Sequence, residues 1–500
     1  MNRMTGERPN IVFVMLDTAR ADYFRAYGGR LELPNIDRLC SKASIYENAV
    51  SPGTYTAPSH VSLFLGKRVR GVKSLMVDKM RSPDRNTDPF LEKERLIKRG
   101  EMTLAKKLSY LGYDTAIFSN NPLVTEYTGI TEGFSYLSYS DNVFVGEGKV
   151  NKKASIKAVM SLIANDNVRN RLIDLSCAVG RAIPRGRFDK VYLDLRMKLN
   201  RIYFEESNAQ AIDQGANLTN LLVDKYLKRA GTGNNFMFIN YMEAHEGYPT
   251  DLVSDEYVDQ DKWLYLGGIL DHEGPVKAMR KACDRRLKHL DSQIGKLMAR
   301  LKESGMLDNT VLVFSGDHGQ GFMEHGQMFH SMFPYREISR IPLVAARFVN
   351  GRQVDTRERV KEPVSLTALH DCLLDIAYNR IEMVDGSLRR DEFVFSDHTG
   401  ITEVWDEYLL SKVRGRSRCA DAIYRAKLRH NTFATAIHKG DYKLIHYRNG
   451  RMGDELYNVA EDPGESENLM KGERGRAREM LRAESRMAGW MRQAPDAVRI

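Results

Sequence analysis

Two apolar runs, far apart in the chain, each end on an aspartate. Ile11-Val12-Phe13-Val14-Met15-Leu16 leads into Asp17, and Val311-Leu312-Val313-Phe314 leads through Ser315-Gly316 into Asp317-His318. Unbroken apolar runs of this length fit strands buried on both faces, as in a parallel sheet. If the two lie side by side, Asp17, Asp317 and His318 meet at the carboxyl edge of the sheet, where open α/β folds bind ligands. The glycines at 316, 319 and 321 suit a loop that a substrate approaches closely.

Apolar runs alternate with helical patterns along most of the 500 residues, which predicts an α/β fold. Strands are expected at Ile11–Leu16, Asp114–Phe118, Phe236–Tyr241, Val311–Phe314 and Leu343–Phe348. Helices are expected at Asn35–Lys42, Ser59–Leu65, Thr103–Leu111, Gln210–Arg229, Gly274–Ser304 and Leu366–Ile376. In the longest of these, Leu287, Leu290, Ile294, Leu297 and Leu301 recur at helical spacing and read as core. Past residue 400 the texture changes to short runs at Thr432–Ile437, Tyr442–Tyr447 and Glu455–Asn458, with turns at Lys439-Gly440-Asp441 and Asn449-Gly450. These predict a small antiparallel sheet, followed by a basic helix over Glu473–Arg492. The expected division is a catalytic domain over 1–400, carrying a basic helical insertion at about 138–208, and a C-terminal subdomain over 401–500.

A charge of +9 and a 28% content of charged residues describe an ordinary globular chain. Between Lys149 and Arg201 stand 13 Lys/Arg against 4 Asp/Glu, so this segment alone carries the equivalent of the whole excess. It reads either as a solvated helical insertion or as a surface for an anionic substrate, partner or membrane. No nucleic-acid motif accompanies it, so nucleic acid is not an expected partner. No apolar run reaches the roughly 20 residues of a membrane span. The short run after Asn10 does not make a signal peptide. Five widely spaced cysteines without a C-x-x-C pair suit reduced thiols, and a cytoplasmic location is expected.

A second chemistry-bearing stretch is Thr54-Tyr55-Thr56-Ala57-Pro58-Ser59-His60-Val61-Ser62-Leu63-Phe64-Leu65-Gly66. Pro58-Ser59 reads as a helix start. Thr56 just before it is either a helix cap or a nucleophile. A threonine hydroxyl needs a metal or a base to become an alkoxide.

The ordered blocks L-D-T-A-R-A-D-Y (Leu16 to Tyr23), L-P-N-I-D-R-L (Leu33 to Leu39), T-A-P-S-H-V-S-L-F-L-G (Thr56 to Gly66), G-D-H-G-Q-G-F-M-E-H-G (Gly316 to Gly326), R-I-P-L-V (Arg340 to Val344), G-D-Y-K-L-I (Gly440 to Ile445) and E-L-Y-N-V-A-E-D-P-G-E-S-E-N-L (Glu455 to Leu469) together resemble the sulfatase family of the alkaline phosphatase superfamily. The resemblance implies a large mixed, mostly parallel central sheet with helices on both faces, plus a small C-terminal antiparallel sheet with a helix. It implies a divalent metal (Mn, Zn or Ca, at one site rather than two) held by Asp17, Asp317 and His318, with Thr56 as a further ligand or near neighbour. Two departures matter. Sulfatases carry a Cys or Ser that is oxidised to formylglycine, with Arg four residues on; here those positions are Thr56 and His60. Threonine cannot yield that aldehyde, and the resemblance then implies direct attack by Thr56, as in related phosphodiesterases and phosphoethanolamine transferases. The family's usual second acid is replaced by Thr18.

By the same resemblance, His245 and His330 are expected to be catalytic, as proton donors to the leaving oxygen. His60, Lys67 and His325 are expected to contact substrate. Lys67 and Arg68 read equally as solvated, and His398 reads as structural. Glu243, His245, His325 and His330 are the pool from which a second metal would draw. The expected activity is hydrolysis or transfer of a phosphate, phosphodiester or phosphonate ester through a covalent Thr56 intermediate. The alternatives are a sulfate-ester hydrolase using Thr56 or water, and a catalytically idle binder of an anionic glycan or lipid, against which the intact ligand set argues. The expected partner is an anionic ester substrate, and homo-oligomer formation is left open.

Overall fold

The computed structural model describes residues 7–69, 96–121, 123–126, 128–139, 212–245, 273–330, 333–384, 388, 391–398, 432–448 and 452–493. The centre is a nine-stranded sheet. From one edge its strands run Arg359–Val360, Ser44–Tyr46, Leu343–Val349, Asn309–Gly316, Asn10–Leu16, Asn235–Tyr241, Asp114–Ser119 and Tyr136–Tyr139, with Arg352–Gln353 hairpinned onto Leu343–Val349. The four strands from Asn309–Gly316 to Asp114–Ser119 are mutually parallel, and Leu343–Val349 runs against them. All five expected strands are present, each within two residues of its expected ends.

The period-two alternation of a strand divides the core into two layers. Val12, Val14 and Leu16 face the helices Pro34–Cys40, Ala216–Leu227 and Glu273–Glu303. Ile11, Phe13 and Met15 face the helices Thr56–Leu65, Leu104–Tyr110 and Leu369–Ala377. The leucine stripe of the long helix is core as expected, with Leu287, Leu290 and Leu301 fully enclosed. Among the described residues, Cys40, Cys283 and Cys372 are buried. No helix among the described residues is long and apolar enough to cross a membrane.

The small sheet has four antiparallel strands, Val394–His398, Ala434–Lys439, Tyr442–Tyr447 and Glu455–Asn458. The predicted turn at Gly440 is there, with φ +55. Ala477 and Met480 of the helix Arg474–Gln493 cover Ile437, Leu444 and Leu456. The sheet takes its first strand from before residue 401, and that strand also bridges Gly53 through Asp397. The basic segment 149–201, and nearly all of the insertion placed at 138–208, lie outside the described residues.

Candidate active site

Register assembles the site. Leu16 pairs with Gly316 on one side and with Tyr241 on the other. The residues that follow, Asp17 and Asp317, therefore leave the sheet together, and Asp17 N–H donates to Tyr241 O at 2.9 Å. Ser119 pairs with Asn240, so Asn121 arrives at the same edge. Four adjacent parallel strands thus deliver polar residues to one carboxyl end, as an α/β sheet should.

Asp17, Asp317 and His318 are wholly buried, and one ligand atom from each lies within 4.8 Å of the others. His318 Nε2 is 3.4 Å from Asp317 Oδ2 and 3.9 Å from Asp17 Oδ1. His318 Nδ1 lies 2.9 Å from the Gly319 carbonyl. A carbonyl only accepts, so the ring proton sits on Nδ1 and the Nε2 lone pair faces the carboxylates. Asp317 Oδ1 accepts from Thr18 N–H and His318 N–H at 3.0 and 2.8 Å. Its Oδ2 is buried and accepts no hydrogen bond among the described residues. Burial first, and the charge of Asp17 second, push the Asp317 carboxyl well above its ordinary range. Two close buried carboxylates, an orphaned oxygen and an imidazole lone pair suit a divalent cation better than any protein partner. Among the described residues this is the single such cluster. Thr18 holds a left-handed φ of 56°, costly for a β-branched residue, which aims its N–H at Asp317.

The helix after this loop begins at Thr56, earlier than the expected Ser59. Thr56 is therefore not a cap. Tyr55 holds that position and gives no side-chain bond. The Thr56 hydroxyl, 3% exposed, instead points at the cluster. Its Oγ1 is 3.5 Å from Asp17 Oδ2 and 3.4 Å from His318 Nε2. Asn121, which sequence reading missed, donates from Nδ2 to both Asp17 Oδ2 and Thr56 Oγ1. Its only sequence signal was position, just after a strand.

The expected proton donors come to the same place. The His330 ring stands 4.8 Å from that of His318 and 4.9 Å from that of His245. The His245 carbonyl is held by Gln214 Nε2 and Arg286 Nη1 at 3.2 and 3.1 Å. The expected substrate contacts fare differently. His60 is fully enclosed, with Nδ1 3.0 Å from the Thr56 carbonyl and its ring packed near Phe64 and Phe238. Burial lowers its pKa to about 4. It braces the helix Thr56–Leu65 from inside, and its Nδ1 lies 3.6 Å from Asp317 Oδ2. His325 also turns away: it stacks on Tyr335 at 3.9 Å, pairs with Glu337 at 2.9 Å and lies 3.1 Å from the Gly464 carbonyl. It links the loop after Asp317 to the C-terminal subdomain through the Gly464 carbonyl, while its other nitrogen faces the buried Glu337. Lys67 is half-buried at the far end of the Thr56 helix. Arg68 is committed to a forked pair with Asp397 at 2.5 and 2.6 Å, and His398 approaches Thr54 at 3.4 Å. Of the second-metal pool, Glu243 has one oxygen engaged, Oε1 accepting from Gln214 N–H and Ala216 N–H at 3.1 and 2.9 Å, while Oε2 is buried without a hydrogen bond among the described residues.

The Sulfatase family model matches residues 9–378. The chain belongs to the sulfatase family. This family member is 22% identical to an N-acetylglucosamine-6-O-sulfatase of Bacteroides thetaiotaomicron, over 93% of this chain and 83% of that protein. Among solved structures it is similar to a 2-O GAG sulfatase (TM-score 0.56, 17% identity, 98% of this chain and 93% of that one). It is equally similar to a phosphonate monoester hydrolase of Agrobacterium radiobacter (TM-score 0.56, 16% identity, 96% and 95%). These likenesses give the sulfatase-family protein the alkaline phosphatase fold, and its family is one of metal-dependent ester hydrolases.

Proposed function

We propose that this sulfatase-family protein hydrolyses an anionic tetrahedral ester at the Asp17–Asp317–His318 centre, with Thr56 as the attacking group. The observation that carries this reading is the Thr56 hydroxyl, buried at a helix start and turned onto both Asp17 and His318. A divalent cation held by the triad would draw charge from the ester and lower the pKa of the hydroxyl. Thr56 Oγ1 adds to the central atom in line, and its proton passes towards the Asp17 carboxylate. The first N–H groups of the Thr56 helix have no intrahelical partner and favour negative charge at this spot. His245 or His330 gives a proton to the departing oxygen, and water then releases the ester from Thr56.

Sulfate esters are the first substrate class, because the family and the curated relative it matches are sulfatases. A second reading, a phosphate, phosphodiester or phosphonate ester, is favoured by Thr56 itself. Threonine cannot become the aldehyde that sulfatases use, and a phosphonate hydrolase shares the fold. A panel of aryl sulfate, phosphate monoester, phosphodiester and phosphonate substrates, run on metal-stripped and reconstituted protein, separates the two. Metal-dependent turnover of the sulfate supports the first reading; preference for a phosphorus ester replaces it with the second. No turnover of any ester by the metal-loaded protein sinks both.

A further inference from the structure

A cavity at the seam between the large sheet and the C-terminal subdomain is lined by Arg336, Ser339, Arg340, His438, Lys443 and Glu465. Lys443 and Glu465 are buried and satisfy one another at 2.7 Å. The two arginines lack such a partner, although Arg340 also lies 5.6 Å from the centre of the Tyr27 ring. Among the described residues neither guanidinium has a carboxylate within ion-pair distance. Arg336 Nη1 donates only to the carbonyls of Val459 and Pro463, at 3.4 and 3.3 Å. Arg340 Nε donates to the Glu47 carbonyl at 2.8 Å. Every nearby acid is engaged elsewhere: Asp22 with Arg20, Glu47 with Arg359, Glu337 with His325. Burial first, and the charge of Arg336 second, draw Arg340 down to about 10. His438 adds a buried ring nitrogen, Nε2, with no partner among the described residues. Burial, reinforced by Lys443, holds that ring neutral, so Nε2 can carry a hydrogen and donate it. Two half-buried guanidinium groups without a carboxylate, and one buried orphaned donor, around a single cavity favour a negative occupant.

We infer that this cavity is a binding site for one small monoatomic anion, of the chloride class, held by Arg336, Arg340 and His438. Size selects the class. The space open to the centre of a water-sized sphere is about 20 Å³, room for one small body, and the charge and donors of the lining favour an anion in that place. The site is separate from the metal centre but mechanically joined to it. Ser339 O accepts from Ser51 N–H at 2.8 Å, and the hydroxyls of Ser51 and Ser59 both donate to Asp317 O.

The test uses the full chain. Thermal unfolding is followed while sodium chloride replaces sodium gluconate at constant ionic strength, with sodium sulfate as the bulky comparison. Chloride alone should raise the midpoint by about 1–3 °C, and Arg340→Gln should abolish the shift. Crystals soaked in bromide should give an anomalous peak between Arg336 and Arg340; this arm decides the matter even if Arg340→Gln fails to fold. A midpoint indifferent to chloride, an equal response to sulfate, or a cavity without bromide would each overturn the inference.

Discussion

Thr56 and Glu243 show how single buried groups set the behaviour of this site. The Thr56 hydroxyl caps no helix, so its removal should leave the fold almost untouched. Thr56→Ala is expected to lose at least about 10³-fold in turnover of whichever ester the protein accepts, with a stability change within about 1 kcal/mol. Rate measurements and denaturant titration on the same preparation check both halves; near-wild-type turnover would remove Thr56 from the chemistry. Glu243 is the opposite case, a carboxyl with a structural post and an electrostatic penalty. Burial, then the charge of Asp213, raises its pKa from 4.5 to about 8. The folded protein therefore binds this proton more tightly than the unfolded chain. The carboxyl weakens the fold little at pH 4.5 and increasingly as pH climbs to 8. Glu243→Gln keeps the oxygen that accepts from Gln214 and Ala216. Its stability advantage over the wild type should grow between pH 5 and pH 8, reaching on the order of a few kcal/mol. Parallel unfolding curves at every pH would show that Glu243 does not titrate as described.

At the scale of elements, a charge pair that has lost its water sits where the small sheet meets the helix Arg336–Ser339. Lys443 of the second hairpin strand bonds Glu465 beyond the last strand, and Glu465 also accepts the Arg336 N–H at 3.0 Å. Lys443→Met leaves that carboxylate buried without its cation and should cost about 3–5 kcal/mol. Lys443→Met combined with Glu465→Gln removes the stranded charge yet keeps an acceptor for Arg336, and should recover at least half of the loss. Urea unfolding of the two variants decides; an additive double variant would mean the pair is not coupled. These pairings also explain what the sequence could not convey. The hairpins over 434–447 were legible because Gly440 and the alternation around it are local signals. Val394–His398 was not, because Ser396 and Asp397 are buried polar residues that break the apolar pattern of a strand. They are tolerated since Arg68 and Thr435, from elsewhere in the chain, bond Asp397. His325 shows the same limit: its neighbours in sequence are those of the loop after Asp317, but its partners are Glu337 and the chain around Gly464.

For the whole molecule, the Asp17–Asp317–His318 cluster joins the strand Asn10–Leu16 to the strand Asn309–Gly316, so a cation bound there would also be a clasp on the fold. The place of Asp17, Asp317 and His318 at strand ends was legible because each follows an apolar run; the strand order that brings them together was not, since parallel register is written in long-range packing. Asn121 was lost for that reason too. Its side chain matters only once Ser119 is known to lie beside Asn240. Without a cation, the close carboxylates of Asp17 and Asp317 oppose the very register that the core enforces. Chelation should therefore lower the thermal midpoint, and a divalent ion added back should raise it with its concentration, because the ion binds only the folded chain. Asp17→Asn separates clasp from fold. It removes one of the two repelling charges while keeping an oxygen for the Asn121 amide, so the stripped variant should melt above the stripped wild type. The same variant should show little response to added metal and little turnover. Calorimetric scans with and without chelator test this. If stripped Asp17→Asn melts lower than stripped wild type, the two carboxylates are not in conflict, and the cation is not what their geometry is built to hold.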